Sequence, residues 1–402
     1  MNTNRRKTLV IGAAALTGPF FIGSARAQGK KEIKLGQTMP YSGPASAYGT
    51  IGKLHQAYFK KINDEGGING TKVNLISLDD GYSPPKTVEQ VRKLVEQDEV
   101  DALFQTLGTP SNTAIHKYVN AKKVPHLFVA TGATKWNDPK NYPWTFGFNL
   151  AYQTEGEIYA KYILKNRPNA KIAVLYQNDD YGKDVLAGLE NVLKGDKAKM
   201  IVAKATYEVT DATVDSQILT LKASGADTMF NICTPKFSAQ AIRRVYDSGW
   251  RPPLHIVNNV GASVGSVLIP AGLEKSEGII TVQYYKDESD PVWKDDRAML
   301  EWRGFMGKFY PDGNVNDASN VYGYITAQVM TQVLRQCNGN FSRDNIKKQA
   351  ESLKDWKSGL LLPGITVNTS ATDHGPIDQA QLSKWDGKKW VLFGDVLGGG
   401  AA

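Results

Sequence analysis

The sequence predicts an α/β protein built as two lobes, each a parallel sheet covered by helices. Three observations predict it. Short apolar runs alternate with segments of 3.6-residue periodicity from Glu32 onward, which is the pattern of strands buried under crossover helices. That alternation restarts after residues 144–149, so two such units follow one another. The 402-residue length suits two domains, each able to bury its own core.

Taken in order, residues 33–38 form a short apolar strand. Ile51, Leu54, Tyr58 and Ile62 then recur on one helical face, and Gly66-Gly67 stops that helix. Residues 73–78 are a strand, Val88, Val91, Leu94 and Val95 mark a helix, and residues 102–106 are a strand. A helix over 111–121 leads to a strand over 124–130. In the second unit, helices over 155–164, 185–193, 216–223 and 239–247 alternate with strands over 172–176, 200–206, 228–232 and 254–257. A strand at 278–282 and two long helices, 293–309 and 318–336, follow. Residues 356–402 read as short strands and turns, with 398–402 a mobile tail.

Residues 1–27 read as an export signal. Arg5-Arg6-Lys7 precede an apolar stretch, and Ala25-Arg26-Ala27 predicts cleavage before Gln28. The adjacent arginines resemble a twin-arginine signal; a Sec signal is the alternative. The run is too short to span a bilayer, so no membrane insertion is expected after processing. No Cys follows the cleavage site to carry a lipid. A periplasmic protein is expected, with Cys233 and Cys337 as separate thiols rather than a disulfide.

The net charge is +8, from 48 basic and 40 acidic residues. Four of the cations (Arg5, Arg6, Lys7, Arg26) lie in the leader, leaving 44 − 40 = +4. So slight an excess, without a dense basic run, excludes a nucleic-acid surface. No dinucleotide or phosphate-loop glycine pattern and no zincin motif is present. No cofactor or metal is expected, and the five His are scattered. Gly261-Ala262-Ser263-Val264-Gly265 matches the nucleophile elbow of hydrolases in letters, with His374 downstream. The elbow needs its serine directly after a strand, and here Asn258-Asn259 intervene. A secreted hydrolase using Ser263 is therefore the alternative, not the main reading.

The loops after the strands carry more chemistry. Leu107-Gly108-Thr109-Pro110-Ser111-Asn112 joins a strand to a helix, offering hydroxyls and unpaired N–H groups to an anion. Thr131-Gly132-Ala133-Thr134 repeats this one strand later. Ordinary capping explains either loop alone; the pair at equivalent strand ends suits a ligand carboxylate. Tyr48, Tyr82, Trp136 and Tyr181 lie near these loops, and Tyr48 and Tyr181 each precede a glycine at a helix start. An apolar slot with a polar rim is a small-molecule site.

In order along the chain, these pieces resemble the substrate-binding proteins of ABC importers, in the leucine/isoleucine/valine-binding branch. The resemblance rests on Ser42-Gly43-Pro44 with Tyr48-Gly49, Ile62-Asn63-Asp64-Glu65-Gly66-Gly67-Ile68-Asn69-Gly70, Asp79-Asp80 with Pro84 and Lys86, residues 130–134, and Asp180-Tyr181-Gly182. It implies the type I periplasmic binding protein fold: two Rossmann-like lobes with parallel sheets, joined by a three-crossing hinge, with the ligand cleft between. Lobe 1 would be 31–150 plus 286–378, and lobe 2 would be 151–285 plus 379–402. It implies a monomer that hands a small ligand to an ABC permease, with separate ATPase subunits; a ligand sensor for a membrane receptor would share the fold. It places the ligand carboxylate near Gly108, Thr109 and Ser111 and at Thr131, Gly132 and Thr134, flanked by Tyr48 and Tyr181. A family position that completes the second-lobe side falls at about Thr234.

One departure bears on the ligand. Where amino-acid binders of this branch set a glutamate against the ligand ammonium, this chain has Asn258 or Asn259. An ammonium buried without a carboxylate is costly, whereas an amide suits a neutral group. An amine-free acid, such as an aromatic acid, is therefore expected beside the branched-chain amino acid alternative. Asp80, Asp179 and Asp180 are the acids that could substitute.

Overall fold

The computed structural model describes Met1 and residues 32–398. The export signal, its cleavage point before Gln28 and residues 399–402 lie outside the described residues.

The chain forms two sheets. The first has the order β2-β1-β3-β4-β5, all parallel, from β1 (Glu32–Met39), β2 (Lys72–Asp79), β3 (Ala102–Phe104), β4 (His126–Val129) and β5 (Thr145–Gly147). Helices α1 (Gly49–Asp64), α2 (Pro84–Glu96) and α3 (Thr109–Ala121) make its crossovers. Each forms because its apolar residues share one face: α1 buries Ile51, Leu54, Tyr58, Phe59 and Ile62.

The second sheet has the order β12-β11-β10-β9-β8-β6-β7. It starts after α4 (Tyr152–Asn166) with β6 (Ile172–Gln177), α5 (Asp180–Val192), β7 (Ile201–Tyr207) and α6 (Asp215–Ala223). It continues through β8 (Thr228–Ile232), α7 (Pro235–Asp247), β9 (Leu254–Val257), the single turn α8 (Ile269–Ala271) and β10 (Ile280–Gln283). The chain then leaves for α9 (Arg297–Phe309), α10 (Ala318–Gln336) and α11 (Arg343–Ala350). These return to the first sheet's side: Tyr58 of α1 meets Phe305 and Tyr324 at ring separations of 5.9 and 5.2 Å. The chain crosses back once more to add β11 (Gln379–Trp385) and β12 (Trp390–Gly398), an antiparallel pair at the sheet edge. The backbone thus passes between the two sheets three times.

Four sequence expectations change. The helix expected from residue 293 starts at Arg297, because Asp296 accepts the Met299 N–H as its cap and Pro291–Trp293 form a separate tight turn. Strand β3 stops at Phe104, because Gln105 turns left-handed at φ 53°. Helix α11 escapes periodicity because it buries only Ile346 and Ala350. The segment read as short strands and turns ends in two strands of seven and nine residues, and Gly398, expected in a mobile tail, closes β12. Cys233 and Cys337 are buried free thiols.

In both sheets the order reverses beside an early strand, β1/β3 in one and β6/β8 in the other. Crevices open at such switch points, outside the carboxyl ends of the strands.

Candidate functional site

The loops leaving β1, β3 and β4 face those leaving β6, β8 and β9, and a cavity lies between them. On the first side, Gly108 sits at φ 99°, and a Cβ there would come within 2.6 Å of the Tyr82 ring. Only glycine makes this turn, which brings Thr109, the first residue of α3, to the cavity wall. Thr109 Oγ1 lies 2.6 Å from Thr131 Oγ1. The Thr131 oxygen also accepts from Ala133 N–H and Trp136 Nε1–H, both at 3.3 Å. The proton between Thr109 and Thr131 can lie on either oxygen, and when Thr131 donates it the Thr109 proton is left for a ligand. With the unpaired N–H groups of the α3 N-terminus, this is a seat for an anion that needs no lysine or arginine.

On the second side, Asp179 caps α5 by accepting from the Tyr181 and Gly182 N–H groups. This sets the Tyr181 ring against the cavity, with its hydroxyl donating to Asn258 Oδ1 at 2.8 Å. Thr234 N–H donates to the Tyr207 hydroxyl. Asn259 donates its N–H to Glu155 Oε1 at 2.6 Å and its amide to the Val282 carbonyl at 2.8 Å. Burial pushes the Glu155 carboxyl up to about 7, against the pull of those donors.

The rest of the wall comes from the crossing after β10 and the start of α10: Tyr284, Tyr285, Asp287, Ser319 and Tyr322. With Tyr48, Tyr82, Tyr152 and Tyr181, seven tyrosines line the cavity. Asp287 is the one ionisable side chain among its lining residues besides those tyrosines.

Of the residues singled out from sequence, Tyr48, Tyr82, Gly108, Thr109 and Thr131 line this cavity from the first side, and Tyr181, Thr234 and Asn259 from the second. Five are turned to other tasks. Ser111 Oγ lies 2.9 Å from the Thr87 hydroxyl inside the fold. Gly132 packs its Cα under Leu150 and Tyr152, where a Cβ would lie 2.4 Å from the Leu150 carbonyl. Thr134 gives both its N–H and its hydroxyl to Asp184, at 2.7 and 3.0 Å. Trp136 stands behind Thr131, and Asn258 behind Tyr181.

The substitute acids are committed as well. Asp80 accepts from Tyr82 N–H and the Thr87 hydroxyl, Asp179 caps α5, and Asp180 pairs with Lys135 at 2.6 Å. The carboxylate that does reach the cavity, Asp287, was missed. Its signal was the run Gln283-Tyr284-Tyr285-Lys286-Asp287-Glu288 directly after a strand end.

Ser263 also lines the cavity, but its hydroxyl donates to Asp317 at 2.9 Å and no histidine is among the lining residues. His374 is buried, stacked on Phe146 at 3.7 Å, with Nδ1 at the Thr145 carbonyl. A helical turn, Val264–Leu268 running into α8, does follow Ser263, but residues 258–262 separate the serine from the end of β9.

A sequence profile described as a periplasmic binding protein matches residues 32–389. The chain belongs to the periplasmic binding protein family. A curated relative, Leu/Ile/Val-binding protein homolog 7 of Brucella suis, is 24% identical over 377 residues, covering 91% of this chain and 92% of the relative. Among solved structures, a substrate-binding periplasmic protein from Ralstonia solanacearum has a TM-score of 0.80 at 23% identity, covering 90% of this chain and all of that one. A branched-chain amino acid ABC transporter protein from Thermus thermophilus with bound valine has a TM-score of 0.82 at 13% identity, covering 92% and 98%. At such identities the likeness is one of fold.

As a periplasmic binding protein, the chain is seen with its two sides drawn together. Tyr48 O–H donates across the cleft to the Val260 carbonyl at 2.9 Å, and Lys135 and Thr134 reach Asp180 and Asp184. No helix among the described residues is long and apolar enough to cross a membrane.

Proposed function

We propose that this periplasmic binding protein captures a small carboxylate ligand by cleft closure and delivers it to an ABC permease driven by separate ATPase subunits. Residues 31–150 with 286–378 move as one lobe and 151–285 with 379–402 as the other. The ligand bridges them, and the closed form is selected because only it contacts the ligand on both sides. Both sides of the cleft come from one chain, so a monomer suffices. The leader sends the chain to the periplasm and is removed before Gln28.

The observation that carries this reading is the anion seat, where Thr109, paired with Thr131 at 2.6 Å, opens α3 at the cavity wall. Around it the tyrosine-rich wall suits an apolar or aromatic body. Tyr48, Tyr82, Gly108, Thr109, Thr131, Tyr181, Thr234 and Asn259 are the proposed contacts. The ligand is an aromatic or other organic acid, or an amino acid of the branched-chain type.

The test is a thermal-shift panel on the exported protein, freed of carried-over ligand by unfolding and refolding. It sets branched-chain and aromatic amino acids against aromatic acids lacking the amine. A ligand at 100 times its dissociation constant should add about 2.7 kcal/mol of stability. A shift with acids, absent with their methyl esters, is expected. Equal shifts with acids and esters, or none with either, overturn the reading.

A further inference from the structure

The anion seat accounts for one end of a ligand, and the crossing after β10 supplies chemistry for another. Asp287 lines the cavity and is only 4% exposed. Its Oδ1 is held by the N–H and hydroxyl of Ser289, the Asp290 N–H also approaches the carboxylate, and no side chain among the described residues donates to Oδ2. Tyr284, in the same wall, is buried with a hydroxyl that has no partner. Such groups are costly to leave unsatisfied, and both residues line the cavity.

Among the described residues no cation pairs with Asp287; in this segment Lys389 pairs with Asp290 at 3.2 Å. Lys286 is turned away to Asp296 at 2.6 Å, and Arg303 donates to the Glu288 carbonyl. The Glu288 carboxylate behind is itself buried without a partner, and Asp317 is taken up by Ser263 and the Ser319 N–H. The wall is thus rich in acceptors and poor in donors, the reverse of the Thr109 seat.

We propose that Asp287, with Tyr284, is the specificity-determining contact for a hydrogen-bond donor that the ligand carries apart from its carboxylate. The donor is an ammonium or a hydroxyl, and either would satisfy the free Oδ2. This inference rests on the carboxylate-binding reading above. It also changes the argument from Asn258 and Asn259: lack of an acid there does not leave an ammonium without a partner, because the acid arrives from a different segment.

The experiment is calorimetry on matched pairs that share a carboxylate and differ in the donor: L-leucine against 4-methylpentanoate, and 4-hydroxybenzoate against benzoate. The wild-type protein should bind the donor-bearing member of one pair about 10- to 100-fold more tightly. Asp287→Ala should reduce that preference to under about threefold and leave the donor-free member bound. Asp287→Asn should do the same for an ammonium but spare a hydroxyl, which separates the two sources. Tyr284→Phe should lower the preference in a chain whose acid is intact, covering the case in which Asp287→Ala does not fold. Equal affinity within both pairs, or a preference that survives Asp287→Ala or, where that variant does not fold, Tyr284→Phe, overturns the inference while the carboxylate reading stands. Failure of all four acids to bind defeats both.

Discussion

Replacing Glu155 by Gln should change how the protein's stability depends on pH. Glu155 is buried and holds the Asn259 N–H at 2.6 Å and the Tyr159 hydroxyl at 2.8 Å. Its carboxyl is raised from 4.5 to about 7, chiefly by burial. Below pH 4.5 it is protonated in both states and costs nothing. Between 4.5 and about 7 the unfolded chain ionises while the folded one does not, so stability falls as pH rises. Above 7 the loss is complete. The shift of 7 − 4.5 = 2.5 corresponds to about 3 kcal/mol. For the 367 residues of 32–398 that is about 4 °C in melting temperature, at roughly 2.1 cal/mol/K of unfolding entropy per residue. Gln is isosteric, cannot ionise, and keeps an oxygen for Asn259 and Tyr159. Melting curves of both proteins from pH 4 to 8 should therefore diverge, the variant gaining about 4 °C on the wild type as pH rises. Taking the difference between the two proteins cancels every other carboxyl. Parallel curves would refute the assignment of this burial cost to Glu155.

Three further outcomes are expected. Thr109→Val should weaken an acid ligand about tenfold or more, by removing one hydrogen bond to a charged group, while its melting temperature without ligand falls by about 1–4 °C because the Thr131 hydroxyl loses its partner; calorimetry checks this, and unchanged affinity would remove Thr109 from the seat. Tyr48→Phe should lose the 2.9 Å bond across the cleft to Val260 and cost about fivefold in affinity, mostly in a faster off-rate that stopped-flow fluorescence can read. A thiol reagent should find no reactive cysteine in the folded protein and two after denaturation, because Cys233 and Cys337 are buried and free and burial raises both thiols.

Much of the fold was legible because it rests on local pattern. Strands β1, β6 and β8 are apolar runs between helices of clear periodicity, and their order needs only the rules for parallel crossovers. The seat at Thr109 and Thr131 was legible because strand ends followed by helix starts must present N–H groups and hydroxyls. What failed was side-chain direction. Thr134 carries the same chemistry as Thr131, yet it points to Asp184. Asn258 and Asn259 are neighbours, but one supports Tyr181 and the other meets the cavity. Asp287 reaches the site through a crossing whose course is set by packing between distant segments, which no local pattern records. The aligned position holds an amide, and the acid that lines the cavity is none of the three expected substitutes but Asp287.

Two of the contacts that hold the cleft shut are weak. The Lys135–Asp180 pair is half exposed on the acid side and a third exposed on the other, a setting in which ion pairs contribute about 0–1 kcal/mol. The Tyr48–Val260 bond contributes about 1 kcal/mol net. Turning a mostly open protein into a mostly closed one requires roughly 5.5 kcal/mol of differential affinity. The hydrogen bonds to Asp184 and Asp317 add to these two contacts, and the ligand supplies the rest. The cavity has the means: the proposed anion seat from one side, buried tyrosine faces from both, and on the crossing between them an acid with no cation paired to it among the described residues. A ligand that fills only the first side gains no reason to close the second. Selection of the solute and closure of the cleft are therefore one event, decided by whether the ligand can satisfy both sides at once.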